Sequence, residues 1–308
     1  MISLGSISLK NPLVLAPLAG YTDLPFREIC SSHGAALVYT ELLSAEAITR
    51  RHPKTLQMMK ISDKERPVII QIFGKDVSIM ADAAKIAEEL SPDGIDINMG
   101  CCMKKVCAPG AGAGLLRNTA LLAKIAEAVV KSVKIPVSAK IRIGYTEKEK
   151  NYIEVLHILE ECGINHVAVH GRTASQQYTG FSNWNIIEEI VSMSKLPIIG
   201  SGDIKSFEEA HEKLAFSNCS AVMIGRAAIG NPWIFSGKTP EDEERAEAAK
   251  HHLLRMIDGY GDYGLVLARK HLLKYFNGVR GAANLRGKIA NTTSLDFLIG
   301  IIDGFSNK

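Results

Sequence analysis

Aromatic residues make up only 6% of this 308-residue chain, and just two of them are tryptophan. So few rings argue against a surface built to stack on long single strands of nucleic acid. No apolar run approaches the roughly 18 residues of a membrane-spanning helix. The opening Met1-Ile2-Ser3-Leu4-Gly5 has neither a basic region nor a long apolar core, so no secretion signal is legible. The six cysteines, Cys30, Cys101, Cys102, Cys107, Cys162 and Cys219, show no C-x-x-C spacing. Without that spacing or a fourth nearby ligand, no metal or iron–sulfur site is expected. A chain this long and apolar needs no disulfide framework, and the expectation is a cytoplasmic protein with reduced thiols. Charge of one sign is also missing overall: 36 Lys and Arg face 33 Asp and Glu, a net of +3. That permits a polyanionic partner without demanding one.

What the chain does have is apolar bulk, 46% of residues, and a repeating pattern. Short β-branched runs alternate with longer stretches of helical periodicity. The candidate strands are Leu13–Pro17, Leu37–Glu41, Val68–Phe73, Gly94–Asn98, Val137–Arg142, His166–His170, Pro197–Ser201 and Ala221–Gly225. Helical segments such as Asp76–Leu90, Thr119–Val133, Tyr152–Cys162 and Ser206–Phe216 separate them. In the first of these, Val77, Met80, Ala84 and Ala87 fall at three- and four-residue spacing. Strand and helix in alternation mean a parallel sheet, and the unbroken apolar run Val68-Ile69-Ile70 means burial on both faces. The repeat number predicts a closed (β/α)₈ TIM barrel rather than an open doubly wound sheet.

The pattern breaks after Pro232-Trp233-Ile234-Phe235. Residues 236–247 read as a polar, acidic linker, and from Glu244 onward only helical periodicity is visible, as in His251–Tyr260, Leu265–Phe276 and Ala282–Asn291. The expected organisation is a barrel over residues 1–240 and a small all-helical domain over 241–308. Gly264–Leu295 carries Arg269, Lys270, Lys274, Arg280, Arg286 and Lys288 and no acidic residue. A solvated helix face and a phosphate-facing surface both fit such a run.

In a barrel, chemistry sits where strands end. The strand tips here carry polar or ionisable groups almost throughout: Glu41, Gln71, Asn98, Lys140, Arg142, His170, Asp203 and Arg226. Gly200-Ser201-Gly202-Asp203 and Gly225-Arg226 follow the seventh and eighth strands, where barrels commonly hold a cofactor phosphate; ordinary turn glycines are the alternative. Lys140 suits stabilisation of an anionic ring, and Gln71 and His170 suit hydrogen bonds to its edge. Cys101 follows a strand end through a glycine and precedes Pro109-Gly110-Ala111-Gly112-Ala113-Gly114. A thiol on such a loop suits delivery of one proton. A buried inert cysteine and a redox disulfide are the competing readings.

These residues resemble the tRNA-dihydrouridine synthases, and among them the bacterial B-type subfamily. The resemblance rests on Ala16-Pro17-Leu18-Ala19-Gly20 with Pro25-Phe26-Arg27, on Asp96-Ile97-Asn98-Met99-Gly100-Cys101, on Lys140-Ile141-Arg142 and on His170-Gly171-Arg172-Thr173. It extends through Gly202-Asp203-Ile204, Ile224-Gly225-Arg226 and Arg269-Lys270-His271. It implies a flavoprotein with FMN bound and NADPH or NADH as electron donor, reducing uridine in RNA, expected to be tRNA, to dihydrouridine. It implies Cys101 as the residue that protonates uracil C5, while hydride reaches C6. Ala16, Pro17, Leu18, Gln71, Lys140, His170, Ser201, Gly202, Asp203, Gly225 and Arg226 would form the FMN shell. Asn98, Arg172, Lys104, Lys105, Arg269, Lys270, Lys274 and Arg286 would face the substrate. A monomer is expected. Two positions depart from the family pattern: Cys102 stands where proline usually follows the cysteine, which implies a looser loop, and Ser201 stands where asparagine is usual. An FMN barrel acting on a free pyrimidine or enone, and a non-catalytic RNA-binding barrel, are the rival readings.

Overall fold

The computed structural model describes residues 2–278, 282–292 and 294–306, so Arg280 lies outside the described residues. Eight parallel strands form the barrel: β1 (Leu13–Leu15), β2 (Val38–Tyr39), β3 (Val68–Phe73), β4 (Gly94–Met99), β5 (Val137–Arg142), β6 (Val167–His170), β7 (Ile198–Ser201) and β8 (Ala221–Ile224). β8 pairs with β1 through Val222–Leu13, Met223–Val14 and Ile224–Leu15. The ring closes where Ala36 N–H donates to Leu13 O at 2.8 Å and Leu15 N–H to Leu37 O at 2.9 Å. The TIM barrel expected from the alternation is therefore the fold.

β2 is shorter than the predicted Leu37–Glu41, for a local reason. Thr40 Oγ1 accepts the Gln71 N–H at 3.0 Å, a donor the ladder would otherwise use. The chain bends out at Glu41, which accepts the Gly20 N–H, and rejoins β3 through the short strand Leu43–Ser44. One pair of strands was not foreseen. Ile2–Leu4 and Ile7–Leu9 form an antiparallel hairpin across the N-terminal mouth. Its Leu4, Ile7 and Leu9 join Val14, Leu37, Tyr39, Ile69, Ala168, Ile199 and Met223 as the barrel's inner core. The signal was there: Ile-Ser-Leu repeats on both sides of Gly5-Ser6, an alternation with a turn at its centre.

Outside the strands pack α1 (Leu24–Ser32), α2 (Ala45–Thr49), α3 (Val77–Glu88), α4 (Thr119–Ser132), α5 (Tyr152–Glu161), α6 (Trp184–Met193) and α7 (Phe207–Ser217). Their starts are set by side-chain caps. Asp76, Asn118, Asn183 and Ser206 accept main-chain N–H groups of Ile79, Leu121, Ile186 and Glu209 at 3.0–3.2 Å. Buried Arg27 on α1 is tied by Nε and Nη2 to Glu65 at 2.6 and 3.1 Å and by Nη1 to Thr22 O at 2.7 Å. It fixes the helix to the segment before β3, so the Pro-Phe-Arg motif belongs to the scaffold.

Four helices follow: α8 (Asp242–Tyr260), α9 (Tyr263–Tyr275), α10 (Ala282–Asn291) and α11 (Leu295–Ser306). The acidic run expected to be a linker forms the first turn of α8, where Asp242, Glu243 and Glu244 complement the positive end of the helix dipole. A Cβ on Gly264 would stand 2.1 Å from Met256 O, so only glycine lets α9 turn back this close to α8. The helices share their own core, including Leu253, Met256, Leu272, Phe276, Ile289, Leu298 and Ile302, with Trp233 reaching in from the end of the barrel.

The junction is polar as well as packed. Arg255 reaches Glu28 on α1 at 2.6 Å, and Gln57 donates to Gly259 O at 2.8 Å. Asp23 caps α1 and pairs with buried His271 at 3.0 Å, with Lys270 at 3.7 Å from the same oxygen. Burial works to raise the Asp23 carboxyl, but His271, His252 and Lys270 outweigh it and hold its pKa at about 2. Asp23, His252 and His271 lie close enough to share a cation. The Lys270 ammonium and the Tyr275 hydroxyl on His252 Nδ1 suit a hydrogen-bonded clasp better. No helix among the described residues is long and apolar enough to cross a membrane.

Candidate active site

At the C-terminal end of the barrel lies a cavity of about 420 Å³. Ala16, Pro17 and Leu18 after β1, Lys140 on β5, His170 on β6, Ser201, Gly202 and Asp203 at β7 and Gly225 and Arg226 at β8 line it. Ten of the residues expected in the FMN shell, all but Gln71, thus meet in one space. Tyr178, Ile204, Lys205, Met223 and Ala227 complete the lining and were not among the expected site residues. Of these only Tyr178 left a usable trace, as an aromatic in a polar loop after a strand tip, and it is 55% exposed at the mouth.

One end of the cavity fits a phosphate. Gly202 sits at φ 127°, and a Cβ there would fall 2.3 Å from Ser182 Oγ and 3.1 Å from the His170 ring. Glycine is therefore required for both backbone and space. Asp203 would be out of place beside an anion, but its charge is already answered. Arg172 Nη2 contacts both its oxygens, at 2.8 and 3.0 Å, and Ser182 N–H donates at 2.8 Å. Arg226 touches Asp203 at only 3.5 Å, lies 4.8 Å from the Tyr178 ring and stays 59% exposed at the opening.

At the other end, burial and then the neighbouring Arg142 bring the Lys140 ammonium down to about 8, with Asp96 opposing them. Lys140 is thus still charged at neutral pH, yet easily perturbed. Burial, with Lys140, Arg142, Arg172 and Arg226 around it, holds His170 well below its ordinary value. Arg172 Nη1 faces His170 Nε2 at 3.4 Å, so that nitrogen accepts and the neutral ring keeps its proton on Nδ1.

Cys101 follows β4. Burial is the leading cause that raises its thiol, which keeps it protonated and suited to giving a proton rather than attacking as a thiolate. Its N–H donates to Asn98 Oδ1 at 2.9 Å and its carbonyl accepts from Ala113 at 3.0 Å. The looser loop expected from the missing proline is fastened by Arg142. Its Nε donates to Gly100 O at 2.9 Å and Nη2 contacts Cys102 Sγ at 3.6 Å.

The remaining expected residues lie elsewhere. Gln71 and Asn98 are buried and bond one another inside the barrel, on the strand face that also carries Lys140, but do not line the cavity. Arg172 is 2% exposed and engaged with Asp203, Thr179 O and Gly180 O, which makes it a brace of the cavity wall. Lys104 and Lys105 are exposed on the short helix Lys104–Cys107 just beyond Cys101. Arg269 and Arg286 hold the carbonyls of Thr292 and Phe276, Lys270 faces Asp23, and Lys274 is exposed.

Residues 14–297 match the family model described as dihydrouridine synthase (Dus). The chain belongs to the dihydrouridine synthase family. It is 37% identical to a probable tRNA-dihydrouridine synthase of Rickettsia bellii, over 94% of this chain and 93% of that one. It is 39% identical to a tRNA-dihydrouridine synthase B of Pseudomonas syringae pv. tomato, over 92% and 88% of the two chains. The B-type resemblance read from the motifs agrees with such relatives. Among solved structures, a 2-naphthoyl-CoA reductase superposes with a TM-score of 0.60 at 11% identity, over 76% of this chain. A histamine dehydrogenase of Rhizobium sp. 4-9 does so with a TM-score of 0.57 at 13% identity, over 82%. This chain spans about half the length of those two, covering 51% and 50% of them, and the likeness is one of fold.

Proposed function

We propose that this protein reduces uridine in tRNA to 5,6-dihydrouridine, with FMN in the barrel mouth, NADPH or NADH as electron source and Cys101 as proton donor. The observation that carries the reading is a phosphate-suited glycine cradle and a cation lining one cavity, at the barrel end where the loop with the protonated Cys101 thiol leaves β4. When bound, the flavin supplies the hydride that reaches uracil C6. The protein does the rest. Gly202, Gly225 and Arg226 hold the phosphate, Lys140 stabilises negative charge beside the ring, and His170 donates from Nδ1. Cys101 gives its proton to C5 on the opposite face. The uridine must leave its stack to reach this depth. Lys104, Lys105 and Lys274 are exposed for phosphate contact, and the helical segment 241–308 is the proposed RNA-binding domain.

A free-pyrimidine reductase would share the cavity, but has no use for the basic α9–α10 region or for the exposed Tyr178 at the rim. The deciding experiment incubates dihydrouridine-free total RNA with the purified protein and NADPH, and reads nucleosides by mass spectrometry. New dihydrouridine is expected. NADPH oxidation without it would replace the RNA reading with the small-molecule one.

Arg226→Ala is expected to weaken FMN binding by about ten- to a hundredfold, the range for losing one hydrogen-bonded charge. Fluorescence titration of the flavin-free protein measures it, and unchanged affinity would remove Arg226 from the phosphate site.

A further inference from the structure

Inside the barrel, on the strand face that also carries Lys140, β3, β4 and β5 share a run of polar side chains to which the proposed reaction assigns no step. Ser138 Oγ donates to Asp96 Oδ1 at 2.7 Å, and Gln71 Nε2 donates to Asp96 Oδ2 at 2.7 Å. Asn98 Nδ2 donates to Gln71 Oε1 at 2.9 Å. Asn98 Oδ1 then accepts the main-chain N–H of Cys101 at 2.9 Å and of Gly100 at 3.3 Å. Asp96 and Gln71 are fully buried and Asn98 nearly so, which leaves little room for water to take the place of a missing partner.

The direction of this run is dictated at both ends. A main-chain N–H can only donate, so Asn98 must turn its oxygen to the Cys101 loop and its NH₂ to Gln71. A carboxylate can only accept, so Gln71 must turn its NH₂ to Asp96 and its oxygen to Asn98. The two demands meet without conflict. Ser138 is the one member that can either donate or accept, and it sits beyond Asp96, outside the path to Cys101.

We propose that Asp96 is a positioning residue: its carboxylate fixes the orientation of Gln71 and through it of Asn98, and so holds the Cys101 loop in place for proton delivery. The inference rests on the reading of Cys101 as proton donor. Without an acceptor at position 96, Gln71 loses the partner that orients it. Once it turns over, Asn98 faces donors on both sides and can satisfy only one. The Cys101 N–H or the Asn98 amide is then left unpaired, and the loop loses its anchor. Asp96 is an acceptor at neutral pH, since burial raises its carboxyl only to about 6 while Ser138, Gln71 and Lys140 oppose the rise.

The test compares Asp96→Leu with Asp96→Asn. Asparagine can turn its oxygen to Gln71 and its NH₂ to Ser138, which accepts as readily as it donates; leucine can do neither. Amide hydrogen exchange is read at Gly100 and Cys101 and at Ile95–Ile97 on β4, in the full chain. We expect Asp96→Leu to lose at least tenfold in protection at Gly100 and Cys101 with β4 unchanged, and Asp96→Asn to stay within threefold. In the flavin-loaded enzyme, Asp96→Leu should keep its rate of reduction by NADPH and lose at least tenfold in RNA reduction, with Asp96→Asn restoring it. Should Asp96→Leu fail to fold, Gln71→Met breaks the same path and its exchange is read the same way. Unchanged protection at Cys101, or loss spread evenly along β4, overturns the proposal. Wild-type enzyme that makes no dihydrouridine would overturn the function reading instead and leave the exchange result standing.

Discussion

Cys101→Ala is expected to keep its flavin and its rate of reduction by NADPH, while dihydrouridine formation falls by about 10²–10⁴-fold, the usual contribution of a positioned general acid. The loop places only one thiol for the task. Cys102 is adjacent in sequence, but its sulfur lies against the Arg142 guanidinium, itself pinned to Gly100 O at 2.9 Å and Thr173 O at 2.8 Å. Cys107 is buried and bonds the Tyr145 hydroxyl at 3.6 Å. Neither neighbour is therefore expected to rescue the variant, and Cys102→Pro should leave RNA reduction within severalfold of the parent. Stopped-flow flavin absorbance reads the first half-reaction and nucleoside mass spectrometry the second. RNA reduction within tenfold of wild type would mean that the proton comes from elsewhere. Loss of flavin would mark Cys101 as structural.

The barrel was legible because each strand is a short run buried on both faces, and the spacing between runs fits one helix. The cavity was legible because glycines and ionisable groups recur at strand tips, and Lys140, His170, Gly202, Asp203 and Arg226 among them line it. Buried partnerships were not. Arg172 reads as a substrate contact from its place after His170-Gly171, yet its guanidinium meets Asp203, a residue 31 positions away. Gln71 and Asn98 read as ring and uracil contacts, and the sequence did not show that they bond one another between Asp96 and the Cys101 N–H. Sequence shows which groups stand at a strand end, and only packing shows whether they face the cavity or one another. The hairpin Ile2–Leu9 was missed for a related reason. Its Ile-Ser-Leu alternation around Gly5-Ser6 is visible, but three residues on each side become strands only against the open barrel end they cover.

Arg172→Leu follows from the oddest feature of the cavity, a carboxylate inside a phosphate cradle. Asp203 is tolerated there because Arg172 balances it from behind, 2% exposed and bonded to both oxygens. Removing Arg172 takes the main partner from Asp203, whose side chain is 20% exposed and keeps the Ser182 N–H, so the cost stays below the range of about 3–5 kcal/mol for a fully buried pair. Two effects should appear together. The midpoint of urea denaturation falls, and FMN affinity falls by at least about a hundredfold, because Asp203 turns to Arg226 and repels the phosphate that Arg226 would hold. The double variant Arg172→Leu with Asp203→Leu removes the stranded charge and should recover much of the stability, since well-packed apolar replacements of buried pairs are often neutral. Its flavin affinity should recover only in part, because Asp203 also accepts the Ser182 N–H that shapes the loop. If the single variant kept its stability and its flavin, Arg172 would be free to face the substrate, as its place in the sequence first suggested.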